Sequence, residues 1–299
     1  MKKLMLLALP LLAVLAGCSD AGASGKPTIV VTTNILGDIT SNIVGDQADV
    51  MVLMPPNSDP HSFEISAAEA ARVESADLMI VNGLGLEEGV AKTIDAARSE
   101  GIEVVEAGPA ADPIQYVTGQ STGAEDPHIW TDPERMRSVV TLIRDAVNAN
   151  VDGVNVDAAA ADYDAKLVEL DALMAERFDA IAPDSRKLVT NHHVFGYLAD
   201  RYGFEVIGAV IPSGTTLASP SASDLSELAG TVRDAGVRTI FVDSSQPDRL
   251  AQVMASEAGI EIGVVKLFTE SLGDENSEAP TYLEMMDFNS AAIAEGLVR

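Results

Sequence analysis

Cysteine and basic side chains are scarce in this sequence of 299 residues. It contains one cysteine, Cys18, which excludes an intramolecular disulfide framework and a zinc site built from cysteines. It has 19 lysines and arginines against 46 aspartates and glutamates, which gives a formal net charge of −27. Because nucleic acids and anionic membrane surfaces repel such a charge, we expect neither as a partner. A cation is the kind of ligand that this charge favours.

Histidine is also scarce, with only four in the chain: His61, His128, His192 and His193. A transition-metal site would have to combine imidazoles with carboxylates, and would use most of the histidine supply. The composition is otherwise that of a globular protein, with 47% hydrophobic and 22% charged residues. Since a single hydrophobic core stops growing at about this chain length, we expect two lobes.

The start of the chain is predicted to be a secretion signal followed by a tether. Two lysines precede the apolar run Leu4–Leu15, a pattern typical of a signal peptide and too short for a membrane-spanning helix. The run ends in Leu15-Ala16-Gly17-Cys18, which resembles the bacterial lipobox, in which the cysteine is acylated and becomes the first mature residue. The alternative is an unmodified cysteine in an ordinary signal sequence. We expect a signal peptide at 1–17, lipidation of Cys18, a flexible tether at 18–26 and an extracytoplasmic, lipid-anchored protein.

Strand and helix patterns alternate along the rest of the chain, which is typical of an α/β fold with mainly parallel sheets. The alternation predicts two similar α/β lobes, at 27–150 and 185–299, joined by a linking segment at 151–184. Strands are predicted at 28–34, 49–55, 77–83 and 103–107, and then at 187–191, 205–211, 239–244 and 261–268. Helices are predicted at 35–44, 67–75 and 86–99, from 132 onward, and then at 194–202, 224–235, 248–258 and 282–296.

The linking segment has a pattern of its own. Its apolar residues recur at steps of three and four, with no glycine or proline between them: Tyr163, Leu167, Leu170, Met174 and Phe178. This period predicts one long amphipathic helix over 157–181 that bridges the two lobes.

Four potential metal ligands follow the ends of predicted strands. His61 and His128 come after the second and fourth strands of the first lobe, and His192 and Glu270 come after the first and fourth strands of the second lobe. The carboxyl ends of parallel strands form the edge at which α/β proteins bind ligands. We therefore expect a metal site in the cleft between the lobes.

Each of these residues also has an ordinary structural explanation. A single loop histidine is more often a surface or hydrogen-bonded residue than a ligand, Asp-Pro-His is typical of turns, and Glu270 could be a solvated acid. The joint placement of three of the four histidines at one edge favours the metal site. Three imidazoles and one carboxylate suit Zn²⁺, and a site closed by four protein ligands binds an ion without activating a water molecule.

The motifs around these ligands resemble the metal-binding solute-binding proteins of bacterial ABC importers, the zinc and manganese group called cluster A-I. The resemblance covers nearly all of the chain after the tether and rests on four segments: Met54-Pro55-Pro56-Asn57-Ser58-Asp59-Pro60-His61-Ser62-Phe63-Glu64, Asp126-Pro127-His128-Ile129-Trp130-Thr131-Asp132-Pro133, His192-His193-Val194-Phe195-Gly196-Tyr197 and Phe268-Thr269-Glu270-Ser271-Leu272-Gly273. It implies two α/β lobes bridged by one long helix, and an ABC permease as the partner. It also implies the ligands His61, His128, His192 and Glu270. We further expect a monomer that meets the membrane only through its lipid anchor.

The chain departs from the family pattern at three places. His193 stands where members usually have aspartate, so it is an alternative third ligand to His192. Glu270 is one methylene longer than the usual aspartate. The segment 116–125 contains no histidine, whereas zinc-specific relatives often have a histidine-rich loop there. In the manganese branch the third ligand is typically glutamate, so the nitrogen-rich set of this chain favours Zn²⁺, with Mn²⁺ as the alternative.

Glu64 and Asp126 are candidates for side chains that orient the imidazoles, although a local turn or capping hydrogen bond explains each equally well.

Two other functions stay open. A secreted zinc hydrolase would use Glu64 as a general base, but no second histidine near His61 completes such a motif. A surface adhesin would expose apolar patches and need no metal-directed histidines. The predicted function is that of a zinc-binding protein, not an enzyme, that delivers Zn²⁺ to an importer.

Overall fold

The computed structural model describes residues 25–246, 248–258 and 262–298. The predicted signal peptide, Cys18 and most of the predicted tether lie outside the described residues. Within the described part of the chain, none of the helices combines the length and the apolar character that crossing a membrane requires. The strands form two separate four-stranded sheets, one in each half of the chain, and every pairing within them is parallel. The predicted α/β fold with two lobes is confirmed.

The first lobe is built on a sheet with the strand order β2-β1-β3-β4. Its strands are β1 Thr28–Val31, β2 Asp49–Val52, β3 Leu78–Val81 and β4 Val104–Glu106. A helix follows each strand in turn: α1 Asn34–Val44, α2 Ala67–Val73, α3 Ala91–Ser99 and α4 Ala107–Ala110. Every residue of β3 is buried, as expected for a central strand that is covered on both faces.

One predicted helix is interrupted. The prediction placed a helix over 86–99, whereas the structure has a 3₁₀ turn at Glu88–Val90 followed by α3. The turn packs closely against the loop that carries His61. Its Gly89 lies so near the carbonyl oxygen of Phe63 that a Cβ atom there would collide with it. This close backbone contact shapes the segment, and periodicity in the sequence does not reveal it.

Two long helices connect the sheets, α5 Pro133–Asn150 and α6 Asp157–Asp179. The side chain of Asp132 caps α5 by accepting two backbone N–H groups of its first turn, and proline occupies the first helical position. The buried residues of α6 are those expected from their spacing, with one alanine in addition: Ala160, Tyr163, Leu167, Leu170, Met174 and Phe178. The long bridging helix is confirmed, and it ends two residues before the predicted end at 181.

The second lobe repeats the arrangement, with the strand order β6-β5-β7-β8. Its strands are β5 Lys187–Thr190, β6 Glu205–Ala209, β7 Thr239–Asp243 and β8 Gly263–Leu267. Its helices are α7 Gly196–Tyr202, α8 Ala222–Asp234, α9 Arg249–Ala258 and α10 Tyr282–Leu297. α8 begins two residues before its predicted start, because Ser221 and Asp224 form a capping box that the prediction overlooked.

A single hydrophobic core runs through both lobes and the connecting helices. It includes Ile29 and Leu78 of the first sheet, Phe178 of α6, and Phe241 and Leu267 of the second sheet. A smaller cluster packs against the opposite face of each sheet. The two lobes therefore share one continuous hydrophobic core. The loops that follow the carboxyl ends of their strands lie next to this core.

Candidate metal centre

The four predicted ligands lie together, on loops that follow four different strands. His61 follows β2, His128 follows β4, His192 follows β5 and Glu270 follows β8. Their exposed fractions are 2%, 0%, 0% and 1%, in that order. One ligand atom from each residue lies within 4.8 Å of the ligand atoms of the other three. The two lobes thus direct two donors each to one buried point, which we call the metal point.

The separations between the donor atoms match the size of a single ion. His128 Nε2 is 3.3 Å from His61 Nε2 and 3.4 Å from His192 Nε2. Glu270 Oε1 is 3.0 Å from His192 Nε2 and 3.7 Å from His128 Nε2. Glu270 Oε2 is 3.7 Å from His61 Nε2. A tetrahedral zinc ion with ligands at ~2.0–2.1 Å has donor-to-donor edges of about 3.3–3.4 Å, so the four residues could surround one ion.

One oxygen of the carboxylate at the metal point lacks a hydrogen-bond donor among the described residues. Glu270 Oε2 is buried and has no hydrogen-bond partner among the described residues. A buried polar atom left without a partner costs free energy, and the cost is larger for a charged group. A cation bound between this oxygen and the imidazole nitrogens would remove that cost. The donor set therefore fits a divalent metal ion.

Burial and mutual repulsion set the charge state of the four groups. Burial lowers the pKa values of His61 and His128, and the neighbouring rings lower them further because adjacent positive charges repel. Burial raises the pKa of Glu270 to about 7, against the opposing effect of His192. Burial also lowers the pKa of His192, but the charge of Glu270 and a hydrogen bond with it outweigh burial and raise that pKa. The two other rings are therefore neutral, which is the form that binds a cation.

The sequence matches the family model described as zinc-uptake complex component A, periplasmic, over residues 29–296. The chain belongs to this family. It is thus a metal-binding substrate-binding protein of an ABC transporter. Because this family consists of transport proteins and not of enzymes, the hydrolase alternative is excluded.

Relatives and solved structures cover nearly the whole chain. The manganese ABC transporter substrate-binding lipoprotein PsaA of Streptococcus anginosus is 31% identical over 311 residues, covering 98% of this chain and 96% of the relative. The structure of the periplasmic zinc binding protein TroA from Treponema pallidum matches with a TM-score of 0.83 and 27% identity, over 92% of this chain and 100% of the other. The Mn-bound periplasmic metal binding protein from Candidatus Liberibacter asiaticus matches with a TM-score of 0.78 and 26% identity, over 91% and 100%.

Two side chains orient the His128 ring of this substrate-binding protein. Asp126 Oδ1 lies 2.7 Å from His128 Nδ1 and accepts the His128 backbone N–H at 3.0 Å. The hydroxyl of Tyr116 lies 3.1 Å from the same Nδ1 and donates to the carbonyl of Gly214 in the second lobe at 3.3 Å. Because Nδ1 is engaged in this way, Nε2 is the nitrogen left for the metal point. Gly196 leaves room for this carboxylate, since a Cβ atom there would collide with Asp126 Oδ2.

Glu64, the other candidate for orienting an imidazole, does not orient His61 in this structure. Its side chain is exposed, and His61 Nδ1 has no hydrogen-bond partner among the described residues. The neighbouring Phe63 packs into the core of the first lobe, which turns Glu64 towards solvent. Asp59 holds this loop instead: its Oδ1 accepts the His61 backbone N–H at 2.9 Å, and its Oδ2 accepts the side-chain amide of Gln246 in the second lobe at 2.9 Å.

His193 is buried beside the ligand group but is not part of it. Its Nε2 faces Gly119, where a Cβ atom would collide with it. Its ring meets Tyr116 edge-on, with the ring centroids 6.4 Å apart. Burial lowers the pKa of His193, and His192 lowers it further. The structure thus directs the ring of His192, and not that of His193, to the metal point.

The sequence did not predict three residues that contact the candidate ligands or their loops: Asp59, Tyr116 and Asp243. Asp59 lies in the Asp-Pro-His segment before the first ligand, and Asp243 occupies the last position of β7, so their positions offered a signal. Tyr116 lies in the long loop between β4 and His128, and no pattern there points to a contact with that ring.

We expect His192→Ala to weaken zinc binding far more than His193→Ala, because only the first substitution removes a donor atom from the metal point. Loss of a supporting contact typically reduces metal affinity ~10–100-fold, and loss of a ligand should exceed that. The dissociation constants of both purified variants, measured by competition with a chelator, test this. Equal losses, or a larger loss for His193→Ala, would contradict the assignment of the third ligand.

Proposed function

We propose that this substrate-binding protein captures Zn²⁺ outside the cytoplasm and delivers it to the permease of an ABC importer, with His61, His128, His192 and Glu270 as the ligands. The observation that carries the proposal is the donor set of three imidazole nitrogens and one carboxylate at one buried point. Nitrogen-rich sites bind Zn²⁺ more tightly than Mn²⁺. Four protein donors also suit the coordination number that zinc prefers.

Manganese is the second candidate, and the carboxylate favours it. Glu270 directs Oε1 towards His128 and His192, and Oε2 towards His61. Bidentate binding would bring the number of protein donor atoms to five, and carboxylate oxygens suit Mn²⁺. The names of the relatives are consistent with either ion as the cargo. PsaA is named for manganese, the Candidatus Liberibacter asiaticus structure is Mn-bound, and TroA is named for zinc.

The division of the ligands between the lobes suggests how the ion is released. Because each lobe supplies two of the four donors, a separation of the lobes would divide the donor set. Hydrogen bonds across the cleft, from Gln246 to Asp59 and from Tyr116 to Gly214, would break in the same movement. The ion is therefore cargo: the protein would retain it while the lobes are closed and release it when they separate.

We expect the purified protein to bind one Zn²⁺ per chain and to prefer Zn²⁺ over Mn²⁺, because the imidazole nitrogens outnumber the carboxylate. Elemental analysis of protein saturated with each ion, followed by a competitive titration of the metal-free protein, measures both quantities. Tighter binding of Mn²⁺ would overturn the zinc assignment in favour of manganese. Absence of tight binding for either ion would overturn the proposed function.

We also propose that the chain is a lipoprotein, with residues 1–17 as its signal peptide, Cys18 as the acylated residue and 18–26 as the tether. The cysteine at the end of a Leu-Ala-Gly run supports this, and the relative PsaA is named a lipoprotein. The formal charge of −27 disfavours direct contact with anionic lipid, so the acyl chains would provide the attachment. The proposed form is a monomer that projects from the membrane and meets the permease.

We expect Cys18→Ala to release the protein from the membrane fraction without changing its zinc affinity, since Cys18 is not one of the four proposed ligands. Two acyl chains hold a protein firmly at a membrane, whereas a protein without them has no attachment here. Fractionation of cells that express each form, after a salt wash, measures the effect. A variant that stays in the membrane fraction would show that Cys18 is not the anchor.

A further inference from the structure

Asp243 ends β7 and lies between the two loops that carry the second-lobe ligands. Its exposed fraction is 1%. We propose that Asp243 is a positioning residue that fixes the loop from which Glu270 reaches the metal point. This inference rests on the proposed function, since it treats Glu270 as a ligand.

One oxygen of the Asp243 carboxylate holds the loop of the fourth ligand. Oδ2 accepts the backbone N–H of Thr269 at 2.8 Å and the Thr269 hydroxyl at 2.7 Å. The same oxygen accepts the backbone N–H of Glu270 at 3.1 Å. Three donors from two consecutive residues therefore meet at one atom. This fixes the backbone from which the Glu270 carboxylate extends to the metal point.

The backbone of Asp243 reaches the third ligand through one intermediate. Its N–H donates to Asn191 Oδ1 at 3.2 Å. Asn191 Nδ2 lies 3.2 Å from His192 Nδ1, on the side of the ring opposite the metal point. Because Asn191 Oδ1 accepts this N–H, the amide nitrogen of Asn191 faces Nδ1 and can only donate, whereas a ring that binds a metal through Nε2 carries its hydrogen on Nδ1. The Asn191 contact therefore fits the metal-free form of the ring, and the positioning role of Asp243 rests on its side chain.

The remaining oxygen of Asp243 is held by a loop that carries no ligand. Oδ1 accepts the backbone N–H of Ser245 at 2.8 Å and also accepts the Ser245 hydroxyl. The donors to this carboxylate are thus three backbone amides and two hydroxyl groups. An asparagine at this position would set its NH₂ group against backbone N–H donors in either orientation of the amide. Asp243→Asn therefore disturbs the contacts while keeping the size of the side chain.

The charge of Asp243 adds to the effect of its hydrogen bonds. Asp243 and Asp59 both act to raise the pKa of Glu270, because each places negative charge near that carboxylate. The same negative charge attracts a divalent cation to the metal point. Asp243→Asn would therefore loosen the Glu270 loop and also reduce the attraction for the ion.

The test compares the unsubstituted protein with Asp243→Asn, using Co²⁺ as a spectroscopic substitute for zinc. We expect the visible absorption bands of bound Co²⁺ to change, because the ligand geometry changes. We also expect release of Zn²⁺ to a chelator to become ~10–100-fold faster, the usual size of an effect on supporting contacts. Asp38→Asn is the matched control: Asp38 also accepts a backbone N–H, that of Tyr282 at 2.9 Å, but contacts none of the four ligands. Its Co²⁺ spectrum and release rate should equal those of the unsubstituted protein.

A second pair of variants keeps the test decisive if Asp243→Asn does not fold, as judged by circular dichroism. Thr269→Val and Ser245→Ala each remove one hydroxyl donor to Asp243, but only Thr269 is next to a ligand. We expect faster zinc release for Thr269→Val and an unchanged rate for Ser245→Ala. Unchanged spectra and release rates in a folded Asp243→Asn variant, or equal rates in the second pair, would overturn the positioning role alone. Failure of the unsubstituted protein to bind Co²⁺ or Zn²⁺ would instead overturn the proposed function.

Discussion

Burial of the Glu270 carboxylate among three imidazole rings is the interaction on which the rest of the structure depends. A protein interior accommodates a carboxylate only when its charge is matched by a proton, a cation or hydrogen-bond donors. Here one oxygen has no hydrogen-bond donor among the described residues, and two of the three rings are neutral. The pKa of Glu270 is raised because burial disfavours the charged form of its carboxylate. A divalent ion at the metal point would satisfy the carboxylate and the rings together.

The fold supplies the geometry that this arrangement needs. Parallel sheets place loop residues beyond the carboxyl ends of their strands, and two such sheets with a shared core place those ends opposite one another. The buried face of α6 belongs to that core, which lies beneath the site. The loops above it meet across the cleft through hydrogen bonds and through contacts between aromatic and imidazole rings. Acidic side chains hold the loops in both lobes. Asp126 and Asp59 hold the loops of His128 and His61, and Asp243 holds the loop of Glu270.

Much of this could be predicted from the sequence, because periodicity and strand order are local properties. The spacing of apolar residues predicted α6, and the positions of His61, His128, His192 and Glu270 after strands predicted that these four residues would cluster. Contacts between distant segments could not be predicted in this way. The position of Asp243 at a strand end points to a role near the site, but no local pattern shows which residues it contacts, and none brings Tyr116 to His128. Two explanations stayed open for Glu64, because its distance from His61 along the chain says nothing about the packing that exposes its side chain.

Zinc X-ray absorption spectroscopy on the loaded protein is the decisive measurement, because it reports the atoms around the ion and their distances. We expect three imidazole nitrogens and the carboxylate of Glu270, with all donors at ~2.0–2.2 Å. The Glu270→Gln variant, which keeps the shape of the side chain, should lose the charged oxygen donor while keeping the imidazole signature. A coordination shell made mainly of oxygen atoms, or one with fewer than three imidazoles in the unsubstituted protein, would contradict the account.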